Sequence, residues 1–284
     1  VFNSPVDHIV YDVSHQTYPH KMLTGRKQAY MDPALYDSVS PYTDPAETPH
    51  DLFKIGHTST SISLALGLAK ARDIMDGKEN IIAVIGDGSM SGGEALEGLN
   101  VAGELNSNFI IVFNDNQMSI AENHGGMYDQ FAELRRTNGA AENNLFKSMG
   151  LDYLYVNDGN DIEALLAAFE QVKGSTHPVV VHINTLKGKG YAPAEANKEK
   201  WHWHMPFDIQ TGQSPASGSS ESYASIFAEY ALKRAKTDPK FLVLMSAVPG
   251  LLGLTQERRE ELGKHYLDVG IAEETAVAMA SGAA

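Results

Sequence analysis

The segment from Ile81 to Met118, IIAVIGDGSMSGGEALEGLNVAGELNSNFIIVFNDNQM, most constrains what this chain can fold into. An apolar run, Ile81 to Ile85, ends in Gly86-Asp87-Gly88. A short apolar run closed by glycines suits a strand buried on both faces of a parallel sheet. Ala95, Leu99 and Ala102 then recur at the spacing of one helical face. A second apolar run, Phe109 to Phe113, ends in Asn114-Asp115-Asn116. The segment therefore predicts a β-α-β unit whose strand ends deliver oxygen-bearing side chains to one sheet edge. At that edge open α/β sheets bind ligands.

The chemistry of the edge is narrow. Asp87 offers a carboxylate, Asn116, 29 positions on, an amide oxygen, and Met118 a backbone carbonyl. A few hard oxygen ligands suit Mg²⁺, which completes its octahedron with water and substrate phosphates. Gly88 and Ser89 lead toward a helix start, where unbonded N–H groups and the dipole favour a phosphate. The unit reads as a seat for a metal-bridged diphosphate. It is not a Walker loop, lacking Gly-Lys-Ser/Thr, nor a G-x-G-x-x-G fingerprint, which needs a glycine at Met90 or Ser91. Gly-Asp-Gly alone is also a common strand-to-turn sequence. The asparagine beyond a second strand gives it weight.

Composition removes other classes. A net charge of −14 over 284 residues argues against nucleic acid or an anionic membrane as partner. Without cysteine there is no disulfide, and zinc would need His and carboxylate ligands. No apolar run reaches the roughly 18 residues of a membrane helix. No signal peptide is visible. The chain starts at Val1 and stops at Ala284 inside an apolar helical run, so both ends read as interior points of a longer protein.

Around this core, Ile9 to Val13 reads as a strand followed by His15 and His20, and residues 24–52, with four prolines, as a loop region. Gly56-His57-Thr58-Ser59-Thr60-Ser61 precedes a helix over about Ile62 to Met75. Its hydroxyls are either caps for that helix or neighbours of an imidazole facing a bound anion. Ser119 to Asn144 reads as a mobile loop or short helix. Strands follow at Tyr153 to Val156 and Pro178 to Ile183, with a helix at Ile162 to Val172 capped by Asp158-Gly159-Asn160-Asp161. Lys187 and Lys189 among glycines are either phosphate neutralisers or a solvated basic turn. Trp201-His202-Trp203-His204 favours an aromatic substrate or packing segment over a metal pair. Residues 211–222, TGQSPASGSSES, have linker composition. A helix from Tyr223 to Lys236 and strands at Phe241 to Met245 and Tyr266 to Val269 come next, the last running into Gly270-Ile271-Ala272-Glu273-Glu274-Thr275.

These residues resemble the 1-deoxy-D-xylulose-5-phosphate synthases, thiamine-diphosphate enzymes of the transketolase superfamily. DVSHQTYPHKMLTGR is similar to that family's DVGHQAYPHK-type segment, GHTSTSIS to its GHSSTSIS, and NDNQMSIAEN to its NDNEMSISEN. GDGSMSGG, KGKGYAPAE and DVGIAEE also correspond. The resemblance implies an α/β fold with a doubly wound, mostly parallel sheet, plus the start of a second similar domain. Residues 1–210 would form a diphosphate- and metal-binding domain lacking its N-terminal part, 211–222 a linker, and 223–284 the start of a pyrimidine-binding domain.

The cofactors implied are thiamine diphosphate and Mg²⁺. Asp87, Asn116 and the Met118 carbonyl would hold the metal, with Gly88 and Ser89 on the diphosphate. His15, Gly56, His57 and Thr58 would line the cofactor and reacting carbon, and Lys187 and Tyr191 would lie near it. Glu273 would hydrogen-bond the aminopyrimidine nitrogen, and His57 and His15 would move protons or polarise a carbonyl. The reaction implied joins pyruvate, with loss of CO₂, to the aldehyde of glyceraldehyde 3-phosphate, in a cytoplasmic homodimer. Two departures stand out: Glu274-Thr275 where the family has Gln-His, and Asn160 where it has His. They keep open a transketolase or other carboligase, and a non-catalytic cofactor-binding paralogue.

Overall fold

The structure is a computed structural model that describes residues 1–15, 17–214 and 221–284. Half of the linker-like stretch 211–222, residues 215–220, thus lies outside the described residues. In chain order the elements begin with β1 (His8–Tyr11), a single turn α1 (Tyr18–Lys21), α2 (Ser61–Ile74), β2 (Ile81–Gly86) and α3 (Gly93–Ala102). Next are β3 (Phe109–Asp115), α4 (Met127–Arg136), α5 (Leu145–Ser148), β4 (Asp152–Val156), α6 (Ile162–Val172) and β5 (Pro178–Asn184). The remainder holds α7 (Ala192–Ala196), α8 (Tyr223–Thr237), β6 (Val243–Met245), α9 (Gln256–Leu262), β7 (Tyr266–Asp268) and α10 (Glu273–Ala283). Two compact units result: Val1–Asn116 with Asp129–Thr185, and Gln117–Tyr128 with Leu186–Ala284. Residues 186–210 therefore group with the C-terminal segment.

The first unit is built on a five-stranded sheet, order β1-β2-β3-β5-β4, with every pair parallel. Alternation along the strands sorts its core. Ile82, Ile110, Val112, Val179 and Val181 pack with Ala168 and Val172 of α6 on one face. Ile81, Ala83, Ile85, Phe109, Ile111 and Phe113, of opposite parity, are wholly buried on the other, with α2 against the strands there. Each fully buried Ile or Phe contributes about 1.5–3 kcal/mol. Gly98 lets α3 close on α2: a Cβ there would sit 2.8 Å from Ile62 Cγ2. The expected doubly wound α/β fold is what forms. The second unit carries a small parallel sheet, β6 and β7, packed on Ala228 and Ala231 of α8.

One expectation needs correction, and two others gain detail. The first strand ends at Tyr11, not Val13, because Val13 and Ser14 turn into left-handed backbone, φ 49° and 54°. Residues 119–144 contain a ten-residue helix, α4, whose Phe131 and Leu134 fill the core. The polar stretch 24–52 is irregular after a series of tight turns, but it is held by buried ions. Arg26 donates to both Asp51 oxygens (2.6 and 3.1 Å) and to Glu47 (2.8 Å), while Lys21, almost fully buried, reaches Glu47 at 3.0 Å. Burial opposes ionisation of Asp51, yet hydrogen bonds from His20 and Arg26 hold its carboxyl well below the usual range.

Candidate functional site

Three parallel strands end side by side, and their tips carry the chemistry. At β2 the ladder runs one residue past Gly86: Asp87 N–H donates to the Asn114 carbonyl at 3.1 Å. The Asp87 side chain is buried there. Asn116 follows one residue after the end of β3, the strand hydrogen-bonded to β2. The carboxylate and the amide thus stand at neighbouring strand ends of one unit.

Between Asp87 and α3 the chain makes a 3-10 turn, Ser89–Ser91, so the helix proper begins at Gly93, later than the start expected at Gly88 and Ser89. Within this turn Met90 N–H goes to the Asp87 carbonyl (3.2 Å) and Gly92 N–H to that of Ser89 (3.2 Å). The N–H groups of Gly88 and Ser89 donate to no acceptor among the described residues, although both residues are buried. Buried backbone donors without an acceptor are rare in folded proteins. Two of them beside a buried carboxylate fit an anion bridged to a cation.

The tip of β1 organises the histidine loops. Asp12, 8% exposed, accepts from the backbone N–H of Ser59 (2.9 Å) and of Ser61 (3.0 Å). It thereby caps α2 from another strand; none of the hydroxyls of Thr58–Ser61 caps it. Ser14 Oγ donates to the Ile55 carbonyl at 2.5 Å and accepts from Thr43 N–H at 3.0 Å. Asp12 and Ser14, just past the end of β1, thus hold the chain on either side of Gly56-His57-Thr58, and His15 follows Ser14 directly. His15 is half-buried, while Gly56 and His57 are exposed. His57 Nδ1 donates to the Thr58 carbonyl at 2.9 Å, so the proton belongs on Nδ1.

Behind the tips lies a buried network that the sequence reading missed. Asp115 accepts from Arg135 and from His182 Nε2 (2.9 Å), and Tyr153 O–H donates to His182 Nδ1 (2.7 Å). Burial lowers the His182 proton affinity against the pull of Asp115, and the imidazole is neutral. Phe113, Phe131 and Phe146 wall the ring in. Asp115 thus turns inward and fixes the end of β3. The only sequence signal was an ionisable pair, Asp115 and His182, in otherwise apolar runs.

Met118, Lys187, Tyr191 and Glu273 belong to the second unit. Met118 pairs with Glu122 in an antiparallel bridge. Lys187 Nζ donates to the Ser119 carbonyl and meets His202 Nδ1 at 2.9 Å. Tyr191 packs edge-on against Trp201 (5.0 Å, 82°). His204 stacks on Trp201 (4.3 Å, 14°), so the Trp-His-Trp-His run contributes to an aromatic cluster. Glu273 opens α10 and is exposed. Among the described residues no group of three or more His, Asp or Glu side chains is set to hold a metal. A metal at the strand tips would take two side chains of the first unit and find its remaining ligands elsewhere, the habit of Mg²⁺.

A family model described as 1-deoxy-D-xylulose-5-phosphate synthase matches residues 1–144 and 136–185. Among curated relatives, 1-deoxy-D-xylulose-5-phosphate synthase 1 of Geobacter sulfurreducens is 40% identical over 322 residues, spanning 100% of this chain and 50% of the relative. The synthase of Pelotomaculum thermopropionicum is 38% identical over 319 residues, with the same coverage. That of Desulfitobacterium hafniense is 39% identical over 320 residues, covering 100% of this chain and 51% of the relative. The chain spans about half the length of the curated relatives it matches.

Proposed function

The chain belongs to the 1-deoxy-D-xylulose-5-phosphate synthase family, and we propose that it supplies the cofactor half of that reaction: decarboxylative condensation of pyruvate with D-glyceraldehyde 3-phosphate. The observation that carries the reading is the placement of Asp87 and Asn116 at adjacent strand ends beside the amides of Gly88 and Ser89, which meet no acceptor among the described residues. Bound there, thiamine diphosphate would supply the electron sink for a carbanion at the donor carbon.

The chain's own residues would do the rest. Asp87, Asn116 and the Met118 carbonyl hold Mg²⁺. Gly88 and Ser89 donate to the diphosphate, and Lys187 adds positive charge near it. Tyr191 lines the cofactor. Glu273 accepts or shares a proton at the aminopyrimidine nitrogen. His57, with a proton on Nδ1 and its Nε2 as acceptor, and His15 handle proton transfer at the reacting carbon. Gly56 and Thr58 shape the wall between them. In this reading residues 1–210 are the diphosphate domain, 211–222 a linker and 223–284 the start of a pyrimidine domain. The whole protein is a cytoplasmic homodimer acting on two small-molecule substrates.

The test is a calorimetric titration of the complete protein with thiamine diphosphate, with and without Mg²⁺, followed by CO₂ release from pyruvate in the presence of glyceraldehyde 3-phosphate. Saturable, Mg²⁺-dependent binding with stoichiometric CO₂ supports the reading. No binding would defeat it. Binding with ketose transfer but no CO₂ would replace the donor and favour a transketolase-type reaction.

A further inference from the structure

Ser59 stands where three loops meet. Its backbone N–H is held by Asp12 at the β1 tip, and its hydroxyl donates to the Ser89 carbonyl at 2.7 Å. Its φ of 73° is left-handed, a conformation that costs a non-glycine residue energy. On the opposite side of the contact is Gly92, which has an ordinary φ of −69° and needs no glycine on conformational grounds. Its reason is steric: a Cβ at position 92 would lie 2.0 Å from Ser59 Oγ and 2.5 Å from Ser59 Cβ. Gly92 is the N-cap of α3 and the exit of the Asp87–Ser91 turn. The loop bearing His57 and the turn bearing Gly88 and Ser89 therefore meet closely at this pair.

We infer that Ser59 is a positioning residue: its contact with Ser89 and Gly92 couples the histidine loop to the diphosphate turn, so that the proton-handling and anion-binding parts of the site keep one relative placement. This rests on the reading of the turn as the diphosphate seat. The bare coupling stands on geometry alone. The strained Ser59 backbone is kept because Asp12 and Ser89 over-determine it, and Gly92 is kept small because Ser59 occupies the space of its side chain.

The inference makes a reciprocal prediction. Gly92→Ala drives a methyl into Ser59 and separates the two segments. Ser59→Gly removes both clashing atoms and relaxes a φ that glycine adopts without cost. Ser59→Ala leaves the Cβ that lies 2.5 Å from the new methyl. Mg²⁺-dependent thiamine diphosphate affinity is measured by calorimetry on the complete protein, with thermal midpoints and amide exchange of residues 56–61 and 87–92 alongside. Gly92→Ala is expected to weaken binding by about tenfold or more, the scale seen when the supports of metal ligands are removed, and to speed exchange in both segments. Ser59→Gly/Gly92→Ala is expected to return to within about threefold of Ser59→Gly alone, a residue short of full additivity. Ser59→Ala/Gly92→Ala is expected to stay weak.

Gly92→Ala with unchanged affinity and exchange overturns the coupling. So does a double variant with glycine at 59 that recovers no better than the one with alanine. A loss of thermal midpoint without loss of affinity reduces the pair to packing and overturns the positioning role. If the wild type binds no cofactor, the functional reading falls, while the exchange of the two segments still decides the coupling.

Discussion

Replacing Asp12 tests the claim that one carboxylate supports the histidine loop. Its two oxygens accept from Ser59 and Ser61 at 2.9 and 3.0 Å, and those residues are 4% and 0% exposed. Water cannot take the carboxylate's place without opening the loop. Leaving a buried donor unmatched costs about 1–3 kcal/mol, so two give about 2–6 kcal/mol for Asp12→Ala, with about 3–4 the central expectation. Asp12→Asn keeps one acceptor oxygen and turns an NH₂ toward the other N–H, so about half of that loss should remain. Urea unfolding followed by circular dichroism reads the difference as a lower midpoint at unchanged slope. The order of stability should be wild type, then Asp12→Asn, then Asp12→Ala. An alanine variant within about 0.5 kcal/mol of wild type, a typical surface substitution, would refute the reasoning, because it would mean that solvent already satisfies both amides.

Other outcomes follow from the same geometry. Asp87→Asn removes the only charge among the proposed metal ligands, and Mg²⁺-dependent cofactor binding should fall by at least about 100-fold, readable by calorimetry. Glu273→Gln should cut turnover by about 10²–10⁴ while leaving binding nearly intact, the size of a general acid–base contribution; equal turnover would remove Glu273 from the chemistry. Stability should also decline with acid through His182. Its proton affinity is lower in the folded state, so below about pH 6.5 the unfolded chain protonates first and folding weakens as the pH falls. Denaturant midpoints between about pH 7 and 5 should fall in wild type and flatten in His182→Gln across the range where an imidazole titrates.

The β-α-β unit was legible because strand burial writes itself as continuous apolar runs, and Asp87 and Asn116 because they follow those runs directly. The helix at Ile162–Val172 was found to the residue, with its cap at Asp161. What escaped was long-range polar pairing. Asp12 lies 47 and 49 residues from its two partners, and a carboxylate at a strand end looks the same whether it caps a helix or faces water. The Arg26–Asp51 pair, 25 residues apart, was hidden in the same way, since buried ions have the composition of a surface loop. The helix Met127–Arg136 was blurred because Phe131 and Leu134 are its only buried residues, too few to mark a period.

The parallel sheet has a consequence for how the chain is made. His8 pairs with Ile81, 73 positions later, and Phe109 with Pro178. No strand has a hairpin neighbour among these five, so no part of the ladder can close locally. At ribosomal rates of about 5–20 residues per second, the first strand waits roughly 4–15 s for its mate to be synthesised. During that interval Ile9 and Val10 of the first strand have no partner, and in a refolding experiment runs such as Phe109–Phe113 are bare until the sheet forms. Slow acquisition of structure is therefore built into the topology, whatever the stability of the finished protein.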